Sequence, residues 1–221
     1  MTNKELPFYT KGEEIFNAVT HIVGGGLGII ALVLNIIFGA INNLTPIGMV
    51  AVIIYGVSLT ITYTMSSIYH FLRRNKAKKV FRIFDHCSIY LMIAGTYTPI
   101  CLITLSESIY GVIILLIVWI SAILGIVGNA INMHARVIKI LSYILYVVVG
   151  WCIILFIEPL LQYWSIEGFY WMLTGGIAFT IGVVFYACGK KAKYIHSIWH
   201  LFVLLGSILQ YISIFFYIIL A

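Results

Sequence analysis

Apolar runs of about 20 residues, each bounded by polar or charged clusters, recur along the whole chain. They predict seven helices, at about 18 to 40, 48 to 72, 83 to 104, 109 to 129, 138 to 158, 171 to 188 and 196 to 219. At about 1.5 Å per residue, each run is long enough to cross the hydrocarbon of a bilayer. The connections are short, which makes consecutive helices antiparallel neighbours in one bundle. The expected fold is an all-α polytopic membrane protein, with residues 1 to 221 forming a single seven-helix domain. The glycines Gly24, Gly25, Gly26 and Gly28 lie inside the first run and follow no strand, so they predict close helix packing and not a phosphate loop. Pro99 predicts a kink in the third helix.

Composition strengthens that picture. The chain is 62% hydrophobic and 9% charged, against about 25% charged in an ordinary soluble domain. Residues 1 to 17 carry Lys4, Glu5, Lys11, Glu13 and Glu14 in place of an apolar leader, so the first span is expected to act as its own insertion signal. The cysteines Cys87, Cys101, Cys152 and Cys188 occur singly in or at the ends of apolar segments. They are expected to be packing residues, with Cys87 and Cys188 weaker candidates as soft metal ligands.

Charge sets a predicted orientation. The thirteen basic residues are Lys4 and Lys11, six between Arg73 and Arg82, Arg136 and Lys139, and Lys190, Lys191 and Lys193. All fall on one side of the membrane, and the positive-inside rule makes that side cytoplasmic, with the N-terminus inside and the C-terminus outside. This placement, and the lack of a basic groove interleaved with aromatics, removes nucleic acid as a reading of the net charge of +6. The opposite loops hold Glu107, Glu158 and Glu167, with Tyr163, Trp164, Tyr170 and Trp171 as expected interfacial anchors. That topology is inverted relative to the G-protein-coupled receptors.

Ionisable groups inside hydrocarbon are costly, and each is a candidate site. His196 and His200 are one helical turn apart on one face, a ligand spacing. His70 lies three residues before Arg73, Asp85 three after Arg82 and His196 three after Lys193, which places them all about 5 Å inside the predicted cytoplasmic boundary. Three imidazoles and a carboxylate thus share one layer. Three histidines with the fourth position left to water make a catalytic type of zinc site, in which the water's pKa falls to roughly 7. Asp85 is expected either as a fourth ligand or as the general base, and Ser66, one turn from His70, either as a group orienting water or as a hydroxyl bonded back to its own helix. His86 is expected to point elsewhere on the helix than Asp85, as a packing or interfacial histidine, and His134 to be solvated in a basic loop.

These residues carry a resemblance. Glu14-x-x-Asn17-x-x-Thr20-His21, Ser66-Ser67-Ile68-Tyr69-His70, Phe84-Asp85-His86, Ala94-Gly95-Thr96-Tyr97-Thr98-Pro99 and His196-Ser197-Ile198-Trp199-His200 resemble the hemolysin III family, the bacterial branch of the progestin and adiponectin receptor superfamily. The resemblance extends over nearly the whole chain. It implies seven helices with the N-terminus inside, Zn2+ held by His70, His196 and His200, and a nearby acid at Asp85. His21, Glu14 and Asn17 match the opening motif and are candidates for supporting the ligands. The resemblance also implies metal-dependent hydrolysis of lipid amides, as in the ceramidases related to the superfamily.

Three functions compete. The first is an intramembrane zinc hydrolase acting on membrane lipids; the second is a non-enzymatic sensor or regulator of membrane state, tied together by structural zinc. The third, a cytolytic pore-former, rests on the family name. Oligomeric state is not legible in the sequence.

Overall fold

The computed structural model describes residues 6–188 and 192–221. Lys4, Lys190 and Lys191, which contribute to the predicted charge asymmetry, lie outside the described residues. The protein is all-helical, with seven helices long and apolar enough to cross a membrane. In chain order these are α1 (Lys11–Ile41), α2 (Pro46–Phe71), α3 (Lys76–Pro99), which runs on as a π-helical turn to Thr104, and α4 (Ile109–Asn132). There follow α5 (Arg136–Gly150), which continues through a 3-10 turn (Cys152–Phe156) into the short α6 (Ile157–Tyr163) to complete one span, then α7 (Ile166–Cys188) and α8 (Ile195–Ile214).

Two helices start well before the apolar runs that announce them. In α1, Thr10 accepts from the Glu13 backbone N–H at 3.3 Å while Glu13 accepts from the Thr10 N–H at 2.8 Å, a reciprocal cap that satisfies two orphan donors. Asn75 caps α3 by accepting from Lys78 N at 2.9 Å, so the basic stretch expected as a loop is already helix from Lys76. The consequence is that Lys78 faces inward, 1% exposed.

Glycines decide which helices touch. A β-carbon at Gly28 would lie 3.0 Å from Thr60 N, and one at Gly56 would lie 2.7 Å from Leu32 Cα, so the α1–α2 seam exists only because these side chains are absent. The α7–α8 seam repeats the device at Gly175 and Gly206, each set against the other's carbonyl oxygen. α5 packs against α3 and α4 and stands off from α7. Pro99 ends α3 proper and hands it to the π turn, while Thr96 and Thr98 donate to the carbonyls of Met92 and Ala94.

Far from the basic end, Tyr163, Tyr170 and Trp171 are exposed as an interfacial role requires. Trp164 is not. It is 5% exposed and donates to Tyr217 O at 3.1 Å, because the chain bend before α7 turns its indole into the bundle.

Candidate metal centre

The first turn of α8 and the last turn of α2 lie at the same end of the bundle, and they bring His196, His200 and His70 together. One nitrogen from each ring lies within 4.8 Å of the others, and all three rings are buried. His196 Nε2 and His200 Nε2 are 3.2 Å apart. Two nitrogens placed tetrahedrally at zinc–nitrogen bond lengths lie roughly 3.3 Å apart, so the pair fits a shared cation. His70 fits as well. Its Nδ1 is 2.8 Å from Glu14 Oε2, which leaves Nε2 buried and without a partner. A carboxylate on one imidazole nitrogen fixes the tautomer and presents the other's lone pair, the arrangement that supports histidine ligands in metal sites.

Glu14 is itself held. Lys78 Nζ lies 2.7 Å from Glu14 Oε1 and also donates to the carbonyls of His70 and Leu72, at 3.4 and 3.1 Å. α1, α2 and α3 are therefore clasped beside the histidines by one ion pair between buried Lys78 and half-buried Glu14. Asn17 is fully buried, with its amide nitrogen 3.5 Å from His70 Nδ1. His21 lies outside the three-ligand group: its ring packs on His200 with centroids 3.8 Å apart, and neither of its nitrogens has a partner. Cys87 and Cys188 also fall outside the group.

His196 and His200, with His21, line the polar end of a cavity of about 140 Å³, whose wall does not include His70. Asp85 and Ser66 line the same end, with the Ser66 hydroxyl as a side-chain hydrogen-bond partner of the Asp85 carboxyl. Asp85 is not among the groups at ligand distance, so the structure sets it beside the histidines and not in their ring. His86 packs against Tyr186 on α7, as a packing histidine should, and also lines the cavity. His134 is exposed, as a solvated loop residue should be.

Two groups at the site carried no sequence signal. Tyr9, just before α1, stacks on His196 with centroids 4.8 Å apart, and burial holds its hydroxyl in the neutral form by raising its pKa. Arg74 pins this segment by donating to Pro7 O at 2.6 Å and Leu6 O at 3.0 Å. Lys78 was indistinguishable from its solvated neighbours. The one available clue was the Asn75-x-x-Lys78 cap, which starts a helix inside the basic run.

The pattern that describes haemolysin-III related proteins matches residues 9–211, which includes every histidine of the cluster. The chain belongs to the haemolysin-III related family. It is 41% identical over 207 residues to Hemolysin-3 of Bacillus cereus, covering 94% of this chain and 92% of that one. To a Hemolysin-3 homolog of Bacillus subtilis it is 40% identical over 209 residues, 95% and 96% of the two chains. A more distant relative is the human monocyte to macrophage differentiation factor, 24% identical over 170 residues and covering 74% of this chain and 68% of that one. This haemolysin-III related chain is thus a multi-pass protein of the cell membrane with a three-histidine site able to hold a metal ion.

Proposed function

We propose that this protein is an intramembrane zinc site that cleaves an amide or ester bond of a lipid drawn from the cytoplasmic leaflet. The observation that carries the reading is the joining of two features: three buried histidines at ligand distance, and a cavity whose polar end two of them, His196 and His200, share with Asp85 and Ser66. Three imidazoles are the donor set of zinc sites that keep an open position. Zinc held by His70, His196 and His200 supplies Lewis-acid activation of water and of a bound carbonyl.

This chain's own residues do the rest. Asp85 accepts the proton of an attacking water and returns it to the leaving nitrogen or oxygen, while Ser66 holds the Asp85 carboxyl in place. Glu14 orients His70 through Nδ1. The apolar remainder of the cavity, walled by Ile93, Trp151, Phe179, Val183 and Val203, accepts the acyl chain. The chain enters between α5 and α7, which are bridged by Trp151 Nε1 donating to Thr180 Oγ1 at 2.9 Å and by the ring contact of Tyr143 with Tyr186. Tyr9 and the segment pinned by Arg74 cover the opposite mouth, towards the cytoplasm, the side to which the positive-inside rule assigns the basic end.

The test has two stages. Metal content by mass spectrometry should give one zinc per chain in wild type and none in His70→Ala or His200→Ala. Purified protein is then incubated with N-acyl lipids, and release of fatty acid that persists in His196→Ala would sink the hydrolase. A second reading has its own support: the ligands come from α2 and α8, so a cation there adds to the tie that Tyr63 makes between these helices by donating to Val203 O and Ser207 Oγ. Zinc-dependent thermal stability without turnover on any lipid would favour that structural role in a sensor or regulator.

A further inference from the structure

In the apolar half of the cavity, the Gln210 amide has no hydrogen-bond partner among the described residues. The hydroxyl of Thr62 donates to the carbonyls of Ser58 and Ser88, that of Thr96 to Met92 O, that of Tyr97 to Gly150 O and that of Tyr146 to His86 O. Thr180 donates to Gly176 O and accepts from Trp151. Gln210 lines the same cavity and also the smaller pocket that adjoins it, yet its amide takes part in none of these bonds. A primary amide offers two donors and two acceptor sites. Left unpaired at membrane depth, the half-buried Gln210 amide is costly unless a ligand supplies its partner.

Its position is built. Gly175 on α7 admits the Gln210 stem, since a β-carbon there would lie 2.5 Å from Gln210 Cγ. The stem is therefore seated in the α7–α8 seam. Gln210 lies ten residues after His200 on the straight run of α8, roughly 15 Å along the helix axis.

We propose that Gln210 recognises a second oxygen on the ligand, so that the protein selects lipids carrying a hydroxyl or carbonyl about 15 Å from the head group held at the histidines. The inference rests on the lipid-binding reading above and names a class within it: an oxygenated chain, in preference to a plain one. An extended chain advances about 1.2 Å per bond, so the matching oxygen sits about twelve bonds from the carboxyl carbon of a fatty acid. A plain chain leaves the amide unpaired and binds more weakly. A hydroxyl placed beside the head group does no better, because it falls at the wrong end of the cavity.

The experiment is displacement of a fluorescent fatty acid from the purified full chain by three octadecanoic acids. One is unsubstituted, one is hydroxylated next to the carboxyl and one about twelve bonds away. Wild type should bind the third at least about tenfold more tightly than the other two, and Gln210→Leu should bind all three alike. Equal affinities in wild type, or a preference that survives in Gln210→Leu, overturn the assignment while the lipid cavity stands. If none of the acids displaces the probe, the lipid reading and the Gln210 assignment fall together. The wild-type comparison decides even if the variant does not fold.

Discussion

The α1–α2 seam and the α5–α7 gap are built from opposite residues and do opposite work. At the first, Gly28 and Gly56 let backbones approach until the helices share one surface. At the second, the large side chains Trp151 and Tyr143 reach across to Thr180 and Tyr186, and the cavity lies beside these contacts. Lipid tails are as apolar as leucine, so nothing squeezes membrane helices together except close fit and internal hydrogen bonds. Where small residues permit that fit, the bundle is rigid enough to hold histidines at ligand distance. Where large ones prevent it, room remains for a ligand.

That contrast can be broken at several points. Beside the histidines stands the Glu14–Lys78 pair, and Lys78→Met leaves the half-buried Glu14 carboxylate without its cation. Thermal unfolding should show a loss of about 3 to 5 kcal/mol, largely recovered in the double variant Glu14→Gln/Lys78→Met. Recovery of stability without recovery of zinc affinity would separate Glu14's orienting of His70 from its structural work. Zinc itself comes next: at about 100 times its dissociation constant it should stabilise wild type by about 2.7 kcal/mol. The increment should vanish in His200→Ala, and an undiminished shift there would place the metal elsewhere.

Filling the tight seam is the third step. Gly28→Leu drives a side chain into the Thr60 backbone and should cost about 1 to 3 kcal/mol by thermal melt, whereas the same change at Gly26, which faces open space, should cost little by that route. Equal effects at the two positions would mean that helix propensity, and not the seam, sets the cost. The smallest effect belongs to the gap. Thr180→Val removes the acceptor for Trp151 Nε1 and should cost about 1 kcal/mol, while fluorescent fatty acid associates faster than with wild type. Slower association would move the entry path away from α5 and α7.

Much of this was legible in the residues. The seven apolar runs match the seven spans, because a bilayer demands the same length of every crossing helix. His70 and His196 could be set at one depth, and His200 one turn deeper, from their distances to the nearest basic residue, and depth along an antiparallel bundle is a one-dimensional quantity that a sequence carries. Rotation about each helix axis is not. The direction of His86, the burial of Trp164 and the inward turn of Lys78 each depend on which face of a helix meets which neighbour. Gln210 shows the limit most clearly: in the sequence it is a polar residue within an apolar span, and only the packing of Gly175 against its stem makes it part of a cavity wall.

The chain by itself therefore determined its class, its number of spans, the clustering of its basic residues and the layer in which its imidazoles lie, all properties that depend on position along a helix. Tertiary structure decided which imidazole nitrogen is held by Glu14, which is left for a metal, and which pair of helices stands apart. Those depend on contacts between side chains that are distant in sequence, such as Glu14 with His70 and Lys78, and no local pattern encodes a contact whose geometry is set by the packing of three helices at once.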